Sequence, residues 1–121
     1  MTTIPKEITN SEDIIDSRDV ISRIEWLEDG EDIDDDEKAE LKALKELAEE
    51  ASGYAEDWIH GEALIRDTYF KTYAQELAYD IGAIDRNATW PTSYIDWDQA
   101  TRELQMDYTS VSFDGEDYWI R

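Results

Sequence analysis

The chain has 121 residues, of which 32 are acidic and 11 basic, so it carries a net charge of -21 with its single histidine neutral. That length suggests one domain, and that charge excludes duplex DNA and anionic membrane as partners, since both would repel it. Hydrophobic residues make up 40% and aromatics 12%, with 5 Trp and 7 Tyr, too many for a disordered acidic tail and enough to build a core.

In chain order, Ser17 suits the cap of a helix over 18–29, with Val20, Ile21, Ile24 and Leu27 on one face and Gly30 as its stop. The Asp34-Asp35-Asp36 run favours a second helix start through capping and the macrodipole. Leu41, Leu44, Leu47, Ala48 and Ala51 form its apolar stripe to about Ser52, and Gly53 ends it. Residues 54–60 read as a ragged turn. Asp67 then caps a third helix to about Ile81, with Phe70, Tyr73, Ala74, Leu77 and Ile81 as its buried face and Gly82 as its stop.

Residues 85–93 read as a loop, because Pro91 holds Trp90 away from helical angles. Asp96 with Gln99 resembles a capping box for a short helix over 97–107 that turns Ala100, Leu104 and Trp97 inward. Alternation over 108–113 and 116–121 around Asp114-Gly115 predicts a β-hairpin on a type I′ turn. The fold class expected is α+β, mostly helical with a small C-terminal antiparallel hairpin or sheet. No linker separates the acidic helical segment 1–60 from the aromatic segment 61–121, so both belong to one domain, the first half the looser.

Chemistry-bearing constellations are few. With no Cys, disulfides, Cys-ligated zinc and thiol catalysis drop out, and a reducing compartment is fitting. His60 stands beside Gly61 without a nucleophile elbow, so no Ser-His-Asp arrangement is expected. Asp32, Asp34 and Asp36 match the first positions of an EF-hand loop, but Glu37 stands where its Gly belongs and Ala43 where its bidentate Glu belongs. Asp85, Asn87 and Thr89 start a second such match that fails at Trp90. Neither a metal nor another cofactor is expected, and the chain is not read as an enzyme. No apolar run approaches the roughly 18 residues of a membrane span, and Met1–Lys6 opens no secretion signal, so the expected location is the cytoplasm of a host cell.

Charge placement carries the functional reading. B-DNA bears about one negative charge per 1.7 Å, so 21 charges correspond to roughly 36 Å of duplex. A compact chain of this length has a radius of gyration of about 14 Å and a diameter of roughly 35 Å, a comparable linear density. Nine of the thirteen residues from Glu25 to Glu37 are acidic and none is basic. The residues expected to meet a basic partner are Glu25, Glu28, Asp29, Glu31, Asp32, Asp34, Asp35 and Asp36. Glu40, Glu46, Glu49 and Glu50 join them on the solvent side of the second helix.

The second half adds a motif. It contains Gly61-Glu62, then Tyr69-Phe70, Tyr73–Ala78 and Asp80-Ile81-Gly82. Tyr94-Ile95-Asp96-Trp97, Arg102-Glu103-Leu104 and the closing hairpin follow. This run resembles the C-terminal region of the ArdA antirestriction family over about half the chain. Residues 1–60 stand where that family has a β-rich N-terminal part. The resemblance implies a phage- or mobile-element-encoded DNA mimic that occupies the basic DNA-binding groove of a type I restriction-modification complex. It carries over Tyr94, Ile95, Asp96, Trp97, Arg102 and Leu104, near surfaces used in the family for dimer contact, and so leaves room for a homodimer. The same physics serves an anti-CRISPR inhibitor of a guide-RNA effector. A third alternative is an acidic protein–protein adaptor docking through Trp90, Tyr94, Trp97, Tyr118 and Trp119.

Overall fold

The computed structural model describes residues 5–85, 87 and 89–121. Among these, four α-helices surround a four-stranded antiparallel sheet, an α+β fold with about half the chain helical. The elements in order are β1 (Ile14–Asp16), α1 (Ser17–Asp29), α2 (Asp35–Ser52), β2 (Ala63–Arg66), α3 (Phe70–Asp80), α4 (Trp97–Gln105), β3 (Thr109–Phe113) and β4 (Glu116–Ile120). Strand order is β1-β2-β4-β3, with Ile15 opposite Leu64, Ile65 opposite Trp119 and Val111 opposite Tyr118.

The helices form where the sequence stores local signals. Asp16, not Ser17, caps α1 by accepting from the Arg18 amide at 2.9 Å. Ser17 is the first helical residue and is buried; its hydroxyl donates to the Trp58 carbonyl at 2.7 Å and accepts from the Glu62 amide at 2.6 Å. Asp34 caps α2 in a complete capping box: its carboxylate accepts from the Glu37 amide at 2.7 Å, and the Glu37 carboxylate accepts from the Asp34 amide. Asp96 accepts from the Gln99 amide at 3.1 Å, but the Gln99 side chain turns to Glu103, so only half a box forms at α4. That helix ends at Gln105, two residues short of the expected end. The hairpin turn is left-handed at both central residues, Asp114 at φ 49° and Gly115 at φ 86°, as a type I′ turn requires.

The sheet sorts its residues by alternation. Ile15, Leu64, Val111, Phe113, Tyr118 and Ile120 point to one face and pack with Val20 and Leu27 of α1 and Leu44, Leu47 and Ala51 of α2. Ile8, Ala55 and Trp58 complete this core, so residues 1–60 supply much of it. On the other face Ile65 and Trp119 are covered by Phe70, whose ring lies edge-on to Trp119 at 5.9 Å and Tyr108 at 5.1 Å. Phe70 on one side and Val111 and Phe113 on the other therefore belong to separate apolar faces. The sheet stands between them, because residues two apart in a strand share a face and neighbours do not.

Three further expectations need correction. The third helix begins at Phe70, after a single 3-10 turn over Asp67–Tyr69, and Asp67 accepts from Trp119 Nε1 at 2.9 Å instead of capping. Ile81 is 69% exposed, because the helix ends one residue before it. Strands β1 and β2 add to the C-terminal hairpin that the sequence predicts. Of the 85–93 loop, residues 86 and 88 lie outside the described set; so do residues 1–4 of the segment read for a secretion signal. The remaining loop residues are irregular up to a 3-10 turn at Thr92–Tyr94.

Phe70 is fully buried while Leu77 is half-buried, which sets their relative importance. Phe70→Ala is expected to cost about 3–5 kcal/mol of unfolding free energy, and Leu77→Ala clearly less. Equal losses in urea titrations of the two variants would show the α3 contacts to be wrongly assigned.

Tyr118 reports on the opposite face. Its ring is buried and its hydroxyl donates to the Glu12 carbonyl at 2.6 Å. Burial pushes its pKa up to about 12. The folded state thus holds this proton more tightly than the unfolded chain. The stabilisation is complete below about pH 10, the ordinary tyrosine value, and is lost as pH rises through 12. Urea midpoints measured between pH 9 and 12 should fall over that window, and Tyr118→Phe should flatten the fall.

Candidate acidic interface

The acidic run occupies one continuous path on the surface. Glu25, Glu28 and Asp29 lie on exposed positions of α1, Glu31 and Asp32 on the connecting turn, and Asp34, Asp35 and Asp36 at the start of α2. All eight are exposed. Glu25 and Asp29 are one turn apart, a separation of roughly 6 Å along the axis. Local physics explains part of this density, since Asp34 is a cap and Asp35, Asp36 and Glu37 complement the positive end of the α2 macrodipole. It does not explain Glu25, Glu28 and Asp29, which crowd the last two turns of α1, where the dipole disfavours anions and no basic residue offsets them in the final turn. Both helices are packed into the core through Val20, Leu27, Leu44, Leu47 and Ala51.

Within that packing α2 departs from the expected pattern. Glu40 is not on the solvent side: its side chain is 11% exposed and forms a two-pronged ion pair with Arg23 of α1, at 2.6 Å to Nε and 2.9 Å to Nη2. Position 40 falls on the same side of the helix as Leu44, Leu47 and Ala51, a placement that its spacing of four and seven from Leu44 and Leu47 already carries in the sequence. Arg23 also donates to the Pro5 carbonyl and lies 4.7 Å over the Trp26 ring. The hydrogen bond that Arg23 donates to Glu40 raises the guanidinium pKa above its ordinary value.

Glu46, Glu49 and Glu50 are exposed as expected and line a shallow groove with Gly53 and Tyr54. Beside them run Lys38, Lys42 and Lys45, at helical spacing and all exposed, with Lys45 reaching Glu28 at 3.8 Å. The outer face of α2 is therefore mixed, and the more anionic surface is the band from α1 through the turn to the first turn of α2, with Glu28 meeting Lys45 at its margin. This lysine stripe was visible in the sequence as the spacing 38, 42, 45, but the net charge masked it.

The motif residues of the second half have structural positions. Asp96 caps α4, Trp97, Ile95 and Leu104 are half-buried, Arg102 donates to Gln99 at 3.0 Å, and Tyr94 is 76% exposed. Of the aromatics considered for docking, Tyr118 is buried, Trp119 is tied to Asp67 and Trp97 is partly covered. Trp90 and Tyr94 stay open to solvent, each about three-quarters exposed. Among the described residues no group of three or more His, Cys, Asp or Glu side chains is arranged to hold a metal ion, and no helix is long and apolar enough to cross a membrane. No protein-family model, curated protein or solved structure matches this chain.

Proposed function

We propose that the protein is an acidic DNA mimic that inhibits a host DNA-binding defence nuclease, of the type I restriction-modification kind. The observation that supports this most is the band of eight exposed carboxylates from Glu25 to Asp36, displayed on a packed helix pair with no basic residue among them. A carboxylate array on such a pair meets a Lys/Arg-lined groove much as phosphates do, and gains from the same long-range attraction that steers DNA to it. The mechanism is competitive occupancy, with no chemistry performed by the chain. The cytoplasm of the host cell is where such a target would be met.

The test is displacement of a labelled recognition duplex from a type I restriction-modification complex and, in parallel, from a guide-RNA effector. Displacement from one of them that weakens steeply with salt is the expected result. Retention of the duplex by both, with the protein in large excess, overturns the reading. A second reading, an adaptor, draws on the exposure of Trp90 and Tyr94. It expects binding that depends little on salt.

A further inference from the structure

Strand β3 ends the sheet on the side away from β1 and pairs only with β4. A two-residue turn closes on a hydrogen-bonded pair, here Phe113 and Glu116, so Val111–Tyr118 and Thr109–Ile120 are the other bonded pairs. Trp119, across from Ser110, turns its backbone to β2, where it faces Ile65. Ser110 and Ser112 therefore aim their N–H and C=O groups out of the sheet. Both residues are exposed, and the register leaves their amides outside the β3–β4 ladder.

Sheet edges are normally blunted by a lysine, a proline, a bulge or a covering element. This edge has no such protection in its sequence. Residues 108–113, Tyr-Thr-Ser-Val-Ser-Phe, carry no charge in a chain where 36% of residues are charged. Five residues in regular register without a bulge make it a ready template for one more strand.

Charge selects the occupant. The strand is bracketed by Asp107 and Asp114, both exposed. A second copy adding antiparallel about a two-fold axis would bring Asp107 of each copy towards Asp114 of the other, and two net charges of -21 together. A segment with Lys or Arg at both ends meets opposite charge at the same two places. We infer that the β3 edge is a docking site for an extended, Lys/Arg-flanked segment of a protein partner, which adds as a fifth strand. The Asp114 end of this site borders Asp36 of the acidic band, but the outward amides of Ser110 and Ser112 lie outside that band, and the inference does not rest on the inhibitor reading.

The whole chain, in moderate salt, is used to select from a library of random dodecapeptides. Selected peptides are expected to alternate β-branched residues between basic ends and to slow hydrogen exchange at the Ser110 and Ser112 amides. Changing their basic ends to Glu should weaken binding at least about tenfold. Ser112→Pro, which deletes one outward N–H, should abolish binding. Ser110→Lys, which adds an edge charge without touching the β4 ladder, should do the same if the proline variant does not fold. Failure to select any peptide overturns the inference, as do peptides that perturb only residues 25–36. So does concentration-dependent protection of Ser110 and Ser112 in the protein alone, which would identify a second copy as the occupant. Peptide capture by a variant neutralised across residues 31–36 keeps this result distinct from the fate of the inhibitor reading.

Discussion

Glu40→Ala is expected to lower the unfolding free energy by about 3–5 kcal/mol, the range for removing one partner of a buried ion pair. Arg23 and Glu40 are 8% and 11% exposed at their side chains and bond through two nitrogens and two oxygens. Without Glu40 the guanidinium keeps the Pro5 carbonyl and the Trp26 face as direct contacts, with Glu7 and Glu37 acting at longer range, in a site that water reaches poorly. Most of the loss is thus the cost of an uncompensated charge, not the worth of the pair itself. The double replacement Arg23→Met with Glu40→Leu should recover most of the stability, since an apolar pair of similar volume carries no desolvation penalty. Urea titration of the two variants decides it. A Glu40→Ala cost below about 1 kcal/mol would place this carboxylate in solvent and return it to the acidic surface.

Neutralising the band is the second large effect. The combined variant Glu31→Gln, Asp32→Asn, Asp34→Asn, Asp35→Asn and Asp36→Asn is expected to weaken binding to the target nuclease at least about tenfold, or ~1.4 kcal/mol. The fold should survive, because Asn is as good a cap as Asp at position 34 and fewer like charges repel across the turn. The fall of affinity with salt should also become shallower, as fewer anionic groups contact the basic groove. Single neutralisations should do little, because exposed charges in a dense array are individually weak. A dominant aromatic anchor gives the opposite pattern: Trp90→Ala or Tyr94→Ala removes binding and the five-fold variant binds unchanged. That outcome, read in the same competition assay, sinks the mimic and leaves the adaptor.

The helices were legible because their determinants are local. Asp34 and Glu37 cap α2 with groups three residues apart, Val20, Ile21, Ile24 and Leu27 repeat at helical spacing, and Asp114-Gly115 suits only a left-handed turn. The short strands were not legible. Ile14–Asp16 and Ala63–Arg66 hold three and four residues, too few to show an alternating pattern. They are strands because Ile15 finds Leu64 across the sheet, and Ser17 bonds the 58–62 segment, at separations of more than forty residues. Nothing within a window of local sequence encodes such partners.

The surface divides in the same way. Sequence by itself determined the charge and the run from Glu25 to Asp36, because charge is a sum over residues and needs no coordinates. Tertiary structure decided which carboxylates face outward. Glu40 turns to Arg23 while Glu46, Glu49 and Glu50 stay in solvent, an outcome set by how α1 lies on α2. It decided equally that Phe70 and Phe113 serve opposite faces of one sheet, and that Trp90 remains exposed where Tyr118 is buried. The physical reason is common to all of these. Burial is a property of pairs of surfaces, and a pair exists only once the chain has brought distant segments together.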